Sequence, residues 1–594
     1  MSPVVGFRRY ELIVLGLAAL VFLGCMVSPP SLMDDVDAAQ PQIARNMLDS
    51  GDWVTPRLDG VAYLEKPPLK YWLIALSMAI FGVHDWAARL PIALSAVVLC
   101  WLTFRIGRWA FSERAGLYAG MVLSTCLGLF LFTRVLISDV LLTLTITLAL
   151  WSFARALDEA EPRPGLWAAL MAASIGFGLL TKGLIAGLFP IGAAVTYLIF
   201  TRQLLRLETW RRLRVFSGVL IVLAIAAPWH VLATLRNPPY FYFGLHSGPG
   251  EYHGFFWFYF FNEHILRFLN LRYPHDYDTV PRLYFWLYHL LWLFPWSAYF
   301  PAVASLSFRP QDRASRLRFL ALCWTGFVLV FFSFSSTQEY YSMPCYPALA
   351  LLLGSAMTST TARTIRLGTR MVTALSASVV ITVGYILSQV WSLPTPGDIS
   401  SALAQKSSEF YQLSLGHMGD LTLNSFAYLR TPLILALVAF LIGVSARWWR
   451  QPFAALALMM VLFFHAARLA MVTFDPYLSS RPLAEALIQA PPGQLIEDDA
   501  YYTFSSVFFY ANRTALLLNG RKTNLEYGSY APGAPDVFID DDEFARRWKR
   551  GDRYYLLIEK PSLSRLHARL GPSHFIVVAD RGGKLLLTNH AVAN

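Results

Sequence analysis

The sequence is short of charge and lacks the motifs of soluble nucleotide-dependent enzymes. Only 15% of its 594 residues are charged, whereas 56% are hydrophobic and the mean hydropathy is +0.46. A soluble domain carries about 25% charged residues, so the composition excludes that class and indicates a polytopic membrane protein. No Walker-type phosphate loop occurs, so the sequence gives no sign of an ATPase. A Gly-x-Ser-x-Gly motif and a dinucleotide-binding motif are also absent from the sequence.

Cysteine is also scarce, and its spacing excludes a disulfide framework or a thiolate zinc site. None of the five cysteines forms a Cys-x-x-Cys pair. They all lie within or beside apolar runs: Cys25, Cys100, Cys126, Cys323 and Cys345. We interpret them as small buried hydrophobic residues.

The net charge of +11 comes mostly from short basic loops between apolar runs. That distribution follows the positive-inside pattern of membrane proteins. No basic face with interleaved aromatic residues lies outside these runs, so nucleic acid is not an expected partner. The basic loops assigned to the inner side are Arg8-Arg9, Arg105 to Arg114, Arg155/Arg163, Arg202 to Arg214, Arg309 to Arg318, Arg363 to Arg370 and Arg447 to Arg450.

Apolar runs near 20 residues predict roughly thirteen membrane spans with the N-terminus inside. The first run, 10–28, has a basic start but no small-residue cleavage site, so we expect an uncleaved span. Residues 69–82 are too short to cross and are expected to form an interfacial or re-entrant helix. The predicted spans are 10–28, 86–106, 114–133, 139–157, 165–181, 183–200, 214–235, 282–303, 317–334, 342–358, 369–391, 431–446 and 452–474.

This orientation places the long loops 29–85 and 236–281 on the outer side. It also puts the 133–139 turn, the 335–341 segment and the C-terminal region there. Residues 1–474 are therefore predicted to form the membrane domain, and 475–594 an outer α/β domain. Within the latter, helices are expected at 541–549 and 563–570, and strands at 494–496, 506–510, 515–518, 554–558, 575–578 and 584–588.

A cluster of acids follows the first span. Asp34, Asp35 and Asp37 lie at the predicted outer membrane surface. Adjacent carboxylates can raise one another's pKa and leave one competent as a general base. The alternative is a solvated N-terminus of a short surface helix, where acids are favoured.

A second cluster is Tyr63-Leu64-Glu65-Lys66-Pro67-Pro68. The two prolines fix an extended backbone, so Lys66 is a fixed cation at the outer face, suited to a phosphate. The alternative is a snorkelling lysine paired with Glu65.

Further polar residues lie at the outer ends of later spans. Asp139 either orients an acceptor or caps the helix that follows it. Tyr340 and Tyr341 are either interfacial belt residues or contacts for a sugar or phosphate. In the 236–281 loop, Arg267 and Arg272 are expected to meet an anionic ligand.

The histidines of the same loop have no recognisable zinc spacing. They are His246, His253, His264 and His275. A divalent metal held by Glu65 and His264 is an alternative. No cofactor is otherwise indicated.

Taken together, these residues resemble the GT-C glycosyltransferases that use polyprenyl-phosphate sugars. The pattern is one span, an acidic dyad, Gly51-Asp52-Trp53, Tyr63 to Pro68 with Tyr71-Trp72, a later Ser138-Asp139, and Tyr341-x-x-Pro344. It looks most like the lipid A aminoarabinose transferases, which are related to protein O-mannosyltransferases. The resemblance covers essentially the whole chain and is strongest over residues 34–72.

The resemblance implies a GT-C fold and catalysis at the outer face of a bacterial inner membrane. It maps the family's dyad onto Asp34 and Asp35, with Asp37 as an alternative, and its second acid onto Asp139. Tyr63, Lys66 and Tyr341 match positions that line the donor-phosphate cavity. Aminoarabinose transferases carry an Arg after the dyad, where this chain has Asp37 or Ala38.

The chemistry implied is inverting transfer of a sugar from an undecaprenyl-type phosphate to a glycolipid or other envelope acceptor. One Asp acts as base, and Lys66 and Arg267 stabilise the leaving phosphate. Two alternatives stay open: a protein O-mannosyltransferase, and a flippase or transporter of lipid-linked sugars. A transporter favours a midplane site and repeated halves, neither of which the sequence shows.

Overall fold

The computed structural model describes residues 3–26, 30–275, 279–359, 361–404 and 419–591. The N-terminal part is almost entirely helical. Its α-helices are Pro3–Phe22, Val36–Ser50, Leu69–Phe81, Asp85–Ala110, Glu113–Ser124, Leu127–Phe132, Asp139–Leu157, Pro164–Lys182, Ile185–Phe200, Leu207–Leu213, Val215–Arg236, Gly254–Phe256, Arg282–Trp292, Phe300–Val303, Arg313–Ser333, Tyr346–Ser359, Ala362–Val390, Ser425–Tyr428, Arg430–Ser445 and Pro452–Leu478, and Trp257–Leu266 is a π-helix.

Helices occupy all of the predicted spans, although the end of 10–28 lies outside the described residues. In the described part of the chain, eight helices are long and apolar enough to cross a membrane by length and composition. The protein is therefore a multi-pass membrane protein, and the count of roughly thirteen crossings stays a prediction.

Three predicted spans are interrupted rather than continuous. Residues 114–133 divide at Thr125 into two helices, and residues 342–358 begin with a 3₁₀ turn, Met343–Cys345. Residues 282–303 divide near Pro295, which has no N–H to continue the helical ladder. The hydropathy of these runs could not reveal such breaks. The short run 69–82 forms the helix Leu69–Phe81, as expected.

A six-stranded sheet with flanking helices forms the C-terminal sheet domain, residues 481–591. The predicted boundary at residue 474 falls inside the helix Pro452–Leu478. Four neighbouring strands are parallel and the last two pair antiparallel. Across the sheet the order is Phe538–Ile539, Ala515–Leu518, Gln494–Asp498, Tyr554–Glu559, Lys584–Thr588 and Ile576–Arg581. The flanking helices are Arg481–Gln489, Ser505–Ala511, Glu526–Ser529, Asp541–Trp548 and Leu563–Leu570.

The strand predicted at residues 506–510 is wrong. This segment belongs to the helix Ser505–Ala511, and Ser506, Phe508 and Phe509 are all buried. A short apolar run buried on every side has no period that distinguishes strand from helix. The other five predicted strands and both predicted helices are present, whereas Phe538–Ile539 and Arg481–Gln489 were not predicted.

The sheet is covered on both faces, which explains its nearly continuous apolar strands. One face carries Leu495, Leu517 and Leu557 and belongs to the same core as the membrane helices. Alternate residues such as Ile496 and Leu556 pack beneath the helices Asp541–Trp548 and Leu563–Leu570. The sheet domain is thus anchored on the membrane domain by a shared core.

The helix Val36–Ser50 lies between these two parts. It was expected on the surface, but nine of its residues are buried. It packs against Leu69–Phe81 on one side and against Ser505–Ala511 on the other. The acids at its start therefore lie where the membrane domain meets the sheet domain.

Candidate functional site

A cavity of about 1270 Å³ lies between the membrane domain and the C-terminal sheet domain. Apart from Arg272, its walls contain the site residues that the sequence predicted: Asp34, Asp35, Asp37, Asp139, Tyr63, Glu65, Lys66, Arg267, Tyr340, Tyr341 and His264. Segments distant in sequence converge there because the helix Val36–Ser50 and the sheet domain close over the ends of the spanning helices. What each residue does within the cavity remains a prediction.

Asp34 ties the two parts of the protein together. One carboxylate oxygen accepts hydrogen bonds from the Ser506 N–H (3.0 Å) and hydroxyl (2.7 Å). The other accepts from the Ser480 hydroxyl at 2.6 Å and from the Lys584 ammonium at 2.5 Å. Four donors hold this carboxylate, which indicates a structural role.

Asp37 is likewise held by the protein. It is 1% exposed and forms an ion pair of 2.7 Å with Arg89. It also accepts hydrogen bonds from the N–H groups of Met33 and Leu136, each at 3.0 Å. Three protein groups thus hold this carboxylate in place, which indicates a structural role.

Asp35 differs from its neighbours in its backbone. Its φ of 76° and ψ of −143° lie in a region that residues with a side chain rarely adopt. The sheet domain holds this conformation: the Asp35 N–H donates to the Tyr502 carbonyl and the Ser505 hydroxyl donates to the Asp35 carbonyl, each at 2.8 Å. Strained backbone of this kind clusters at functional sites, so Asp35 is the strongest candidate for the base.

These contacts predict that loosening the sheet domain disturbs Asp35. Ser506→Ala removes one donor from the buried Asp34 carboxylate and should lower the free energy of unfolding by about 2 kcal/mol. Thermal unfolding of purified protein, together with limited proteolysis, measures this loss. Ser564→Ala, at an exposed serine whose hydroxyl donates only to the Pro561 carbonyl, is the control and should change neither reading. If both variants unfold and are cleaved like the natural protein, Asp34 does not stabilise the contact between the two domains.

Cationic residues gather around Glu263. Lys66 lies 3.1 Å from its carboxylate and Arg267 lies 3.0 Å away, and Arg272 pairs with the second oxygen. Burial alone would raise the pKa of Glu263, but Arg272, Lys66 and Arg267 together hold it well below its ordinary value. Glu263 therefore fixes the positions of three cations.

Two of these three cations face the cavity. The side chains of Lys66 and Arg267 are 24% and 20% exposed and line its wall. Arg267 also donates to the Tyr341 hydroxyl at 3.1 Å. With Tyr341, they present N–H and O–H donors to any anion that enters.

Arg272, expected to meet an anionic ligand, is instead fully buried. It bridges Glu263 and Glu65, donating to Glu65 at 2.9 Å. Glu65 in turn accepts a hydrogen bond of 3.0 Å from the Tyr63 hydroxyl. Arg272 and Glu65 therefore support the cationic wall from behind.

Asp139 forms an ion pair instead of capping its helix. Its carboxylate lies 2.6 Å from the Lys182 ammonium, and no cap hydrogen bond from a side chain starts this helix. The same ammonium lies 5.2 Å from the ring centre of Tyr340 and 5.1 Å from that of Tyr341. Both tyrosines are thereby held at the cavity wall.

The residues do not fit a metal site at Glu65 and His264. One imidazole nitrogen of His264 accepts the Leu184 N–H at 3.0 Å, and the other lies 2.6 Å from the Tyr259 carbonyl. Burial lowers the pKa of His264 to about 4, so the ring stays neutral and both nitrogens have protein partners. In the described residues, no group of three or more His, Cys, Asp or Glu side chains could hold a metal ion.

One wall of the cavity is apolar and faces the membrane region. It is built from the helices Ile185–Phe200 and Arg313–Ser333 and from the end of the π-helix Trp257–Leu266. Several of its side chains are accessible to solvent, including Leu188, which is 40% exposed, and Leu269, which is 53% exposed.

Sequence reasoning missed many of the lining residues, and five polar ones illustrate why. Lys70 and Lys182 sit inside or at the end of apolar helices, where a lone ionisable residue is itself a signal of function. Gln40 lies on the helix after the acids. Tyr502 and Lys584 come from the sheet domain, and no local pattern predicts that they reach this cavity.

Two buried acids that do not line the cavity are Asp59, in the outer loop, and Glu497, on the central strand Gln494–Asp498. Asp59 accepts a hydrogen bond from the Ala515 N–H at 3.1 Å, and Glu497 accepts one from the Phe504 N–H at 3.0 Å. The second oxygen of each carboxyl has no partner among the described residues. Burial raises the pKa of Asp59 to about 7 and raises that of Glu497 well above its ordinary value.

The raised pKa of Asp59 predicts a pH-dependent stability. Its carboxyl binds a proton more tightly in the folded than in the unfolded protein, so its contribution to stability is fully present below the unfolded pKa near 3.8 and is lost as the pH rises towards 7. The unfolding equilibrium constant should rise by up to about tenfold per pH unit in this window. Thermal unfolding at a series of pH values measures the slope. Asp59→Asn should reduce the slope and leave the part that Glu497 contributes, whereas an unchanged slope would contradict the assignment.

Comparisons with known proteins agree with this architecture. Residues 65–231 match a family model described as dolichyl-phosphate-mannose-protein mannosyltransferase. An undecaprenyl phosphate-alpha-4-amino-4-deoxy-L-arabinose arabinosyl transferase of Pseudomonas fluorescens is 32% identical over 324 residues, 53% of this chain and 52% of that protein. A relative with the same name in Pseudomonas aeruginosa is 29% identical over 430 residues, 70% of this chain and 67% of its own length. The match thus spans about half the length of the first of these relatives.

The fold is shared over nearly the whole chain with a solved structure. ArnT from Cupriavidus metallidurans bound to undecaprenyl phosphate superimposes with a TM-score of 0.77 at 22% identity, covering 99% of this chain and 98% of that one. The apo state of the same protein gives a TM-score of 0.75.

Proposed function

We propose that this chain, a membrane protein with the GT-C fold, transfers a sugar from a polyprenyl-phosphate donor to an envelope acceptor. The observation that supports this most directly is the composition of one cavity. An apolar wall formed by predicted membrane spans, a cationic wall and the strained Asp35 all border the same space. The named activity of the relatives, which use an undecaprenyl-phosphate sugar, supports the same class of donor.

The proposed donor enters along the apolar wall with its phosphate at Lys66, Arg267 and Tyr341. Its anomeric carbon then lies on the side of Asp35. The acceptor hydroxyl attacks that carbon, the bond from the carbon to the phosphate oxygen breaks, and the hydroxyl proton passes to Asp35. Lys66 and Arg267 stabilise the negative charge that develops on the departing polyprenyl phosphate. Direct displacement inverts the anomeric configuration.

We further propose that the cavity opens on the outer face of a bacterial inner membrane. The placement of basic loops on the inner side supports this orientation. Single-cysteine labelling at exposed positions such as Asp49 and Lys549 tests it, since both should react with an impermeant reagent in intact spheroplasts. Labelling of both only after lysis would contradict it.

The acceptor has two candidates. A glycolipid such as lipid A is supported by the resemblance to aminoarabinose transferases, and a protein hydroxyl is supported by the family model over residues 65–231. The deciding experiment incubates the purified protein in nanodiscs with defined polyprenyl-phosphate sugars and each acceptor, with mass spectrometry of the products. Sugar on the glycolipid or on protein selects the acceptor. Movement of donor between leaflets without any transfer would overturn the proposal in favour of a flippase.

A further inference from the structure

Lys70 is a buried cation in the cavity that the mechanism above does not use. It lies in the first turn of the helix Leu69–Phe81, is 3% exposed and lines the cavity. Its ammonium donates to the Gln40 side-chain oxygen at 2.6 Å and to the Leu136 carbonyl at 3.2 Å. Among the described residues, no carboxylate forms an ion pair with it.

Such a charge is costly to keep inside a protein without an anion. An ammonium has three N–H donors, and the two acceptors that Lys70 contacts are both neutral. The neighbouring Lys182 differs, because Asp139 neutralises it. Burial, reinforced by Lys66 and Lys182, lowers the pKa of Lys70 to about 7 although the more distant carboxylates of Asp139 and Glu65 act to raise it, and a bound anion would oppose the lowering.

The hydrogen bonds of Lys70 connect it to the segments that carry or hold the acids. Its partner Gln40 is on the helix that begins directly after Asp35, and its partner Leu136 donates its N–H to Asp37. Lys66, four residues earlier and before the helix begins, instead pairs with Glu263. The two lysines therefore have different partners and are suited to bind different parts of the bound substrates.

We propose that Lys70 determines substrate specificity by binding an anionic oxygen, a carboxylate or phosphate, carried by the transferred sugar or by the acceptor near Asp35. The inference rests on the proposed transferase function and deepens it. The same cation disfavours a sugar whose amino group would lie beside it, because like charges repel. The chain is thereby expected to use a different sugar or acceptor from an enzyme built for a cationic aminosugar.

The test compares matched substrates with the purified full-length protein in nanodiscs. One arm offers polyprenyl-phosphate galacturonic acid and galactose, which differ in a carboxylate. The other arm offers lipid A with and without its phosphate groups. Each arm gives a selectivity ratio, the kcat/KM for the substrate with the anion divided by the kcat/KM for the substrate without it. If the anion is on the sugar, only the ratio of the first arm should fall in Lys70→Met, by about tenfold to a hundredfold. If the anion is on the acceptor, only the ratio of the second arm should fall.

A second variant protects the test against misfolding of Lys70→Met. Gln40→Glu keeps Lys70 but places a carboxylate against its ammonium, so it should reduce the same ratio. Lys182→Met, at a lysine already paired with Asp139, is the comparison and should shift the ratio less. Selectivity that stays within threefold of the natural protein in both Lys70→Met and Gln40→Glu would overturn the inference while leaving transferase activity in place.

Binding provides a readout that needs no turnover. Affinities for free galacturonate and for inorganic phosphate are measured on the natural protein and on Lys70→Met. At least one of the two anions should bind about tenfold more weakly to the variant, and equal affinities for both would overturn the inference. Failure of all transfer, with this binding difference present, would instead count against the proposed function alone.

Discussion

Replacing Asp35 by Asn should lower kcat by about 10²- to 10⁴-fold, the usual contribution of a general base. The amide keeps the size of the side chain but cannot accept the proton of the attacking hydroxyl. Asn also tolerates unusual backbone conformations better than most residues, so the fold should survive. Single-turnover transfer from a radiolabelled polyprenyl-phosphate sugar measures the loss, and the thermal midpoint of the same sample verifies folding.

The neighbouring acids provide matched controls for this experiment. Asp34→Asn and Asp37→Asn disturb carboxylates held by Lys584 and Arg89, so each should lower the thermal midpoint more than Asp35→Asn does. What activity they lose should follow the fraction of folded protein. Normal turnover in Asp35→Asn, with loss in a well-folded Asp37→Asn, would move the base to Asp37.

Lys66→Met is expected to lower kcat/KM by about 10²- to 10³-fold, the cost of removing one donor from a developing negative charge. Glu263 keeps Arg267 and Arg272 as partners in the variant, so the cationic wall should remain assembled. The loss should appear mainly in kcat if Lys66 acts on the departing phosphate, and mainly in KM if it only binds the donor. Steady-state kinetics over a range of donor concentrations separates the two.

Lys549→Met is the matched control for Lys66. Lys549 is an exposed lysine of the sheet domain that follows the helix Asp541–Trp548. Its removal changes the net charge by the same amount without touching the cavity, so kcat/KM should stay within twofold. A similar loss in both variants would mean that the effect is one of overall charge, and the donor-phosphate role of Lys66 would be wrong.

Much of the fold follows from local patterns in the sequence. Apolar runs of helical length predicted helices at every span, and the predicted span 139–157 coincides with the helix Asp139–Leu157. The breaks near Thr125 and Pro295 were not predicted, because hydropathy averages over the residues that interrupt a helix. The segment 506–510 was misassigned for a related reason: an apolar run buried on all sides carries no period.

The candidate site was predictable as a set of residues but not as an arrangement. Acids and cations near a membrane surface are costly, which identified Asp35 and Lys66. Their division of labour depends on partners far along the chain: Asp34 is held by Lys584, and Lys66 by Glu263. Local sequence carries no information on such pairs, so Asp34, Asp35 and Asp37 could not be ranked before the structure.

The backbone conformation of Asp35 has a consequence for the selection of variants with higher thermal stability. Glycine adopts a φ of 76° at far lower cost than aspartate. Asp35→Gly should therefore raise the free energy of unfolding by about 1 kcal/mol and raise the unfolding temperature. It would also lack the carboxylate. A screen for heat resistance or expression yield alone would therefore enrich inactive variants at this position. Only a selection that also requires transferase activity would retain the aspartate.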